Sequence, residues 1–300
     1  MDLGVSRRTV TILLAVLVLI YVVRWTSNEA IVDRTRKLLG SGDASPAATP
    51  YFGEIKDRVA VVSDTQYSPR LVPLMLHFHS VLGPDWPVIL YTTEENRDQH
   101  LVGNSAVWDK AVRDGRIQVR IIPAEFDLTQ RQGVNLYLSR PWFWEQLAPA
   151  KHVLIFQTDA MICGNSHRNV EDFFKWDFIG APLHGSEKYL NGGLSLRNRT
   201  MILDILQEGN NWEEDVKSGA WDMGGEDIWF SRKMVDRGGQ LPDFTAALEF
   251  SCEHQNHVDR QKHPMGYHKV HKYASKSIDE IAKWCPEIAL AAPGTLKDGD

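Results

Sequence analysis

The sequence predicts an α/β protein built on a doubly wound, mostly parallel sheet with helices packed on both faces. Two observations carry this. Short apolar runs alternate with stretches of helical spacing from residue 57 onward. The run Val153-Leu154-Ile155-Phe156 is also unbroken, as a strand covered on both faces reads. Three hundred residues supply enough chain for one large domain of this kind and additional segments.

The additional segments come first. Residues 9–23 carry no charge and are flanked by Arg7, Arg8 and Arg24. They are shorter than the roughly 20 residues of an ordinary spanning helix. Snorkelling arginines and Trp25 can extend the span, and thin secretory membranes favour short ones. A cleavable signal peptide is the competing reading, but Arg24-Trp25 stand where a small-x-small cleavage pattern would be. The expectation is a cytosolic tail at 1–8, a transmembrane signal anchor at 9–23 and a stem at 24–56. The stem is set by its small, proline-punctuated 40–50 stretch. The globular domain is expected at 57–275, with a C-terminal tail at 276–300.

Within the domain, 59–62 is a first strand ending in Ser63-Asp64-Thr65. Ser68-Pro69 opens a helix in which Leu71, Val72, Leu74, Met75, Phe78, Val81 and Leu82 share a face, stopped by Gly83-Pro84. A second strand at 88–91 precedes a largely helical 94–113, broken near Gly103-Asn104, and a third strand at 117–122. Ser139-Arg140-Pro141 opens a helix that leads into the central strand at 153–156. A short strand is expected at 177–182, and helical spacing returns after Asp227 until Gly238-Gly239.

A formal net charge of −6 argues against an extended nucleic-acid surface. Cys163, Cys252 and Cys285 are too few and scattered for a disulfide framework or a zinc site. One pair could bridge in an oxidising lumen, and spacing does not say which. Asn198-Arg199-Thr200 is the only glycosylation sequon.

Four stretches carry chemistry. Gln157-Thr158-Asp159 interrupts two apolar runs at the carboxyl end of the central strand, where open α/β sheets bind ligands. A carboxylate there is paired, edge-located or holding a cation, or it caps the next turn. Asn191-Gly192-Gly193 lets backbone approach a ligand closely, or is an ordinary turn. Trp221 precedes Gly224-Gly225-Glu226-Asp227, which puts two carboxylates at a helix amino terminus. There they either complement the helix dipole or supply a base, with Trp221 free to stack on a sugar ring. His268 and Lys269 lie in a cluster of imidazoles and lysines, a setting for a metal ligand beside a diphosphate.

In this order, the Gln-Thr-Asp at 157–159, the Asn-Gly-Gly-Leu-Ser-Leu-Arg at 191–197, the Gly-Gly-Glu-Asp-Ile-Trp-Phe-Ser at 224–231 and the Pro-Met-Gly-Tyr-His-Lys at 264–269 resemble glycosyltransferases of GT-A fold. More narrowly, they resemble a glycosyltransferase-like family catalogued as a domain of unknown function. The resemblance implies a Rossmann-like, GT-A-like domain that moves a sugar from a nucleotide-diphosphate donor to a glycan or glycoconjugate. It implies Mn²⁺ or Mg²⁺ held by Asp159 and His268, with Gln157 where the family carries the first acid of Asp-x-Asp. By the same likeness Asp227 is the base and Glu226 an acceptor contact. Asp64, Gln157, Asp159, Asn191, Gly192, Gly193 and Lys269 would bind the donor. A single-pass type II protein of the Golgi or another secretory membrane, with a lumenal domain, goes with this reading. The alternative is a catalytically silent glycan-binding or scaffold protein that retains the fold.

Overall fold

The computed structural model describes residues 53–183 and 189–292. The expected cytosolic tail and anchor, and the stem up to residue 52, lie outside these residues. Among the described residues no helix is long and apolar enough to cross a membrane.

The central sheet has six strands: β1 (Arg58–Ser63), β2 (Val88–Thr92), β3 (Ile117–Ile121), β4 (His152–Phe156), β6 (Phe178–Pro182) and β7 (Leu190–Asn198), in the order β3-β2-β1-β4-β7-β6. The first four are parallel. β7 runs antiparallel to both β4 and β6. The α/β class with a mostly parallel sheet is therefore as expected, with β7 the one reversed strand. Alternation along each strand divides the core between two faces. Ala60, Val62, Val88, Leu90, Leu154 and Phe156 face the helix α1 (Leu71–Leu82). Val59, Val61, Ile89, Tyr91, Val153 and Ile155 face the opposite layer.

Helix α1 begins at Leu71, two residues after the expected proline start, and ends at Gly83, whose φ of 78° requires glycine. The next helices are α2 (Ala106–Arg113), α3 (Arg131–Leu138) and α4 (Pro141–Glu145). The sequence reading leaves α3 out because Gln130 supplies no side-chain cap to announce it. Beyond β7 come α5 (Arg199–Gln207), α6 (Trp212–Ser218), α7 (Glu226–Asp236) and α8 (Phe244–Phe250).

A second, small sheet in the order β5-β9-β8 combines β5 (Ala160–Ile162), β8 (Ser251–Cys252) and β9 (Gly266–His268). Its register sets Ala160 opposite His268, across more than a hundred residues of chain. The folded chain also runs past residue 275. Ile278, Ile281, Cys285 and Ile288 are buried in the core, and Cys285 is bonded to Cys163.

Candidate active site

Five elements end at one place. β4 delivers Gln157 and Asp159, β7 opens with Asn191-Gly192-Gly193, and α7 begins with Glu226-Asp227. β8 is followed by Glu253, and β9 ends in His268, followed by Lys269. They surround a cavity of about 400 Å³, whose wall includes Gln157, Gly192, Gly193, Asp227, Glu253 and Lys269. Asp159 and His268 sit behind that wall, and His268 is only 1% exposed.

The β5–β9 register brings Asp159 to His268. The imidazole Nε2 lies 3.2 Å from Asp159 Oδ1 and 3.0 Å from Gln157 Oε1. On the other side of the ring, Nδ1 lies 3.4 Å from Glu253 Oε1. Burial alone would lower the His268 pKa, but hydrogen bonding to Asp159 and Glu253 and their negative charge outweigh it and raise the value. Burial likewise works to raise the Asp159 carboxyl, yet His268, Lys269 and His271 hold it below its ordinary value. Lys269 donates its backbone N–H to the Asp159 carbonyl at 3.0 Å. Its Nζ reaches Gln157 Oε1 at 3.4 Å. Lys269 is the one non-glycine residue with positive φ (50°) among the described residues. Such backbone strain persists where the surroundings over-determine it.

Gly192 and Gly193, expected to let the backbone approach a ligand, both line the cavity. Both residues lie within strand β7. A Cβ on Gly193 would collide with the His268 ring, and one on Gly192 with the Arg197 guanidinium. The close approach is thus to the side chains of the site. Gly192 donates its N–H to Asp227 Oδ2 at 3.0 Å, while Asp227 Oδ1 accepts from Ile228 N–H at 2.9 Å. Asp227 is therefore fixed at the cavity wall, half-buried, by one bond from β7 and one from its own helix.

Glu226, the expected acceptor contact, is also part of the cavity wall. Arg197 grips both of its oxygens, Nη1 to Oε2 at 2.7 Å and Nη2 to Oε1 at 3.1 Å, and neither side chain is more than 4% exposed. Its lone pairs are engaged in locking β7 to α7. Trp221 is 8% exposed, and its indole N–H donates to Gly224 O at 3.0 Å, so it braces the glycine loop. Asn198 is equally committed. Its Oδ1 caps α5 at Met201 N–H and its Nδ2 donates to Asp177 at 2.7 Å. Asp64 lies outside the cavity wall. Burial raises its carboxyl, the Gln66 N–H and Thr158 oppose this, and the charge of Asp159 adds to it.

Glu253 and Arg131 are wall residues that the sequence reading missed, while Lys272, of the late His/Lys cluster, also reaches the wall. Only Glu253 had a local signal: Phe250-Ser251-Cys252 followed by an acid repeats, in miniature, the pattern of the central strand.

The donors Asp159, Gln157 and His268 fit a divalent cation. Their spacings of 3.0 and 3.2 Å match the edge of an octahedron with bonds near 2.1 Å. A carboxylate, an amide oxygen and an imidazole form a mixed O,O,N set suited to Mn²⁺. Glu253 at Nδ1 is the partner that orients a ligating imidazole. Among the described residues no group of three His, Cys, Asp or Glu side chains is placed to hold a metal ion.

A mostly parallel α/β sheet thus gathers Lys269, the Asp227 carboxylate and the glycine pair around a cavity at the carboxyl end of a central strand, where open α/β sheets bind ligands. The family described as Protein of unknown function (DUF5672) matches residues 116–268, just over half of the chain, and the protein belongs to it. The curated proteins contain no match to the sequence. Among solved structures, the apo form of glycosyltransferase GlyE of Streptococcus pneumoniae TIGR4 has 11% identity and a TM-score of 0.45 over 71% of this chain and 54% of its own. Mannosyltransferase PcManGT of Pyrobaculum calidifontis, in complex with GDP-Man and Mn²⁺, has 11% identity and a TM-score of 0.43 over 77% and 66%. This chain thus spans between about half and two thirds of those proteins' lengths.

Proposed function

We propose that the protein is a glycosyltransferase of GT-A-like architecture, moving a sugar from a nucleotide-diphosphate donor to a glycan or glycoconjugate. The convergence of Gln157, Asp159, His268 and Lys269 beside a cavity whose wall also holds Asp227 carries this reading.

Breaking the anomeric C–O bond leaves its electron pair, one further negative charge, on the departing diphosphate, so the site must place positive charge there. Lys269, Lys272 and Arg131 supply it from the cavity wall. Asp159, His268 and the Gln157 carbonyl would hold Mn²⁺ or Mg²⁺, which supplies Lewis-acid stabilisation of the leaving group. Asp227, held by Gly192 and Ile228, takes the proton of the acceptor hydroxyl as its oxygen attacks the opposite face of the sugar, inverting the anomeric centre. Asn191 holds the loop in shape: its Oδ1 accepts from Gly193 N–H at 2.8 Å and its Nδ2 donates to Glu253 at 3.3 Å.

The Cys163–Cys285 bond supports a lumenal, oxidising location, since such bonds persist there and are rare in the cytosol. A type II anchor at residues 9–23 in a Golgi or other secretory membrane completes the proposal.

A screen of nucleotide sugars, recording UDP or GDP release, tests the reading. Asp227→Asn keeps donor affinity within about twofold and lowers turnover by ~10²–10⁴, the usual contribution of a general base. Unchanged turnover in that variant moves the base elsewhere.

A further inference from the structure

We propose that β3, an edge of the central sheet, pairs with β3 of a second copy of this chain, antiparallel about a two-fold axis at Val119, so that the two sheets join into one. The register with β2 fixes which backbone groups are left over. Val88 lies opposite Ile117 and Thr92 opposite Ile121; the Val88 N–H donates to Arg116 O, and the Ile122 N–H to Thr92 O. Residues 118 and 120 therefore turn their backbone groups to β2, while 117, 119 and 121 turn theirs outward. Among the described residues nothing takes those outward N–H and C=O groups. The opposite edge is treated differently. β6 carries Gly180, Pro182 and a register shift between them, and α8 and β8 pack against it. β3 has none of these devices, by which sheets discourage pairing. Its one charge, Arg120, is drawn back onto Tyr91 Oη at 3.2 Å and Gln146 O at 2.9 Å.

The strand's own sequence selects the occupant. Ile117-Gln118-Val119-Arg120-Ile121 keeps its alternation of apolar and polar positions when read backwards through Val119. An antiparallel mate in that register sets Val119 beside Val119, Ile117 beside Ile121 and Gln118 beside Arg120. Every outward backbone group of 117, 119 and 121 then finds a partner. A slip by one residue would turn apolar side chains to the polar face, so one register is preferred. Gln118 and Arg120 are suited to meet. Within the strand Arg120 Nη2 already donates to Gln118 Oε1 at 2.8 Å, which leaves Arg120 Nε and a lone pair of that oxygen for the mate. The apolar face agrees. α2 packs over β3 on the side of Ile117 and Val119. Val102, just ahead of α2, and Val107, within it, are 70% and 66% exposed, more than any other described large apolar side chain. A second copy brings its own α2 to this side of the seam, where exposed apolar residues mark a contact surface. A foreign peptide would have to match the strand, whereas a second copy carries the matching sequence.

The test uses the full chain in density-matched detergent and reads its mass by sedimentation equilibrium across the micromolar range. A dimer is expected. Gln118→Arg sets like charges opposite each other twice across the axis and should weaken the dimer about tenfold. Adding Arg120→Gln to that variant restores unlike neighbours and should restore the dimer. Cysteines read the register. A mixture of Gln118→Cys chains and Arg120→Cys chains should give a cross-linked dimer on a non-reducing gel that neither chain gives alone, because only 118 and 120 face each other. The native mass and the cysteine mixture decide the matter even if Gln118→Arg does not fold. The pairing is overturned by a native chain that stays monomeric, by a dimer that Gln118→Arg leaves unchanged, or by equal cross-linking in the unmixed controls. A monomer whose Val119 and Ile121 amides exchange hydrogen slowly would show the edge taken by this chain's own stem, and it overturns the proposal too.

Discussion

Arg197 is fully buried, and its guanidinium packs 4.6 Å from the Phe178 ring centroid as well as gripping Glu226. Removing one member of a buried ion pair leaves the other charged and without a partner, at a cost of about 3–5 kcal/mol. Glu226→Ala is expected to lose stability on that scale in urea unfolding. Glu226→Gln, which keeps an oxygen for Arg197, should lose less. Equal and small losses would mean the pair is not what fixes α7. Both acids at 226–227 were legible in the sequence as a helix start, but the division of labour was not. It depends on Arg197 and Gly192, residues of a distant strand, which pair Glu226 with a guanidinium and Asp227 with a backbone N–H.

Among the elements, the strands β1 to β4 and the helix α1 were legible because their patterns are local. An apolar run or a repeat of 3.6 residues needs no knowledge of what lies elsewhere. β7 was not, since Gly192 and Gly193 weaken a strand pattern and read equally as a turn. Its true constraint is steric. A methyl group at Gly193 points into the His268 ring, so Gly193→Ala is expected to displace that imidazole from Gln157 and Asp159. We expect a folded protein, judged by circular dichroism, whose turnover falls at least tenfold; full activity would show that His268 can move without consequence. β8 and β9 have two and three residues. Nothing so short has a period, and the pairing that sets Ala160 opposite His268 is a property of the closed fold.

At the scale of the whole molecule, the Cys163–Cys285 bond joins residues 122 apart and ties the C-terminal helices to the strand that bears the site. The sequence left the pairing open because three cysteines allow three pairs, and buried Cys252 is the one left free. Closing a loop of this length is worth about 2–5 kcal/mol. Cys285→Ser should lower unfolding stability by that amount without altering the core of the sheet. A non-reducing gel with no mobility difference between this variant and the native chain would show that the bond does not form. Beyond the expected boundary at residue 275, Ile278, Ile281 and Ile288 are buried in the core next to that tie.

The proposed transferase would hold one cation between Asp159, Gln157 and His268, next to Lys269. Electron paramagnetic resonance of Mn²⁺, titrated with and without UDP and GDP, reads that position directly. We predict that one of the two nucleotides tightens Mn²⁺ binding at a single site, and that Asp159→Ala abolishes both the site and transfer. Mn²⁺ binding that ignores both nucleotides, or that survives Asp159→Ala unchanged, would contradict the account.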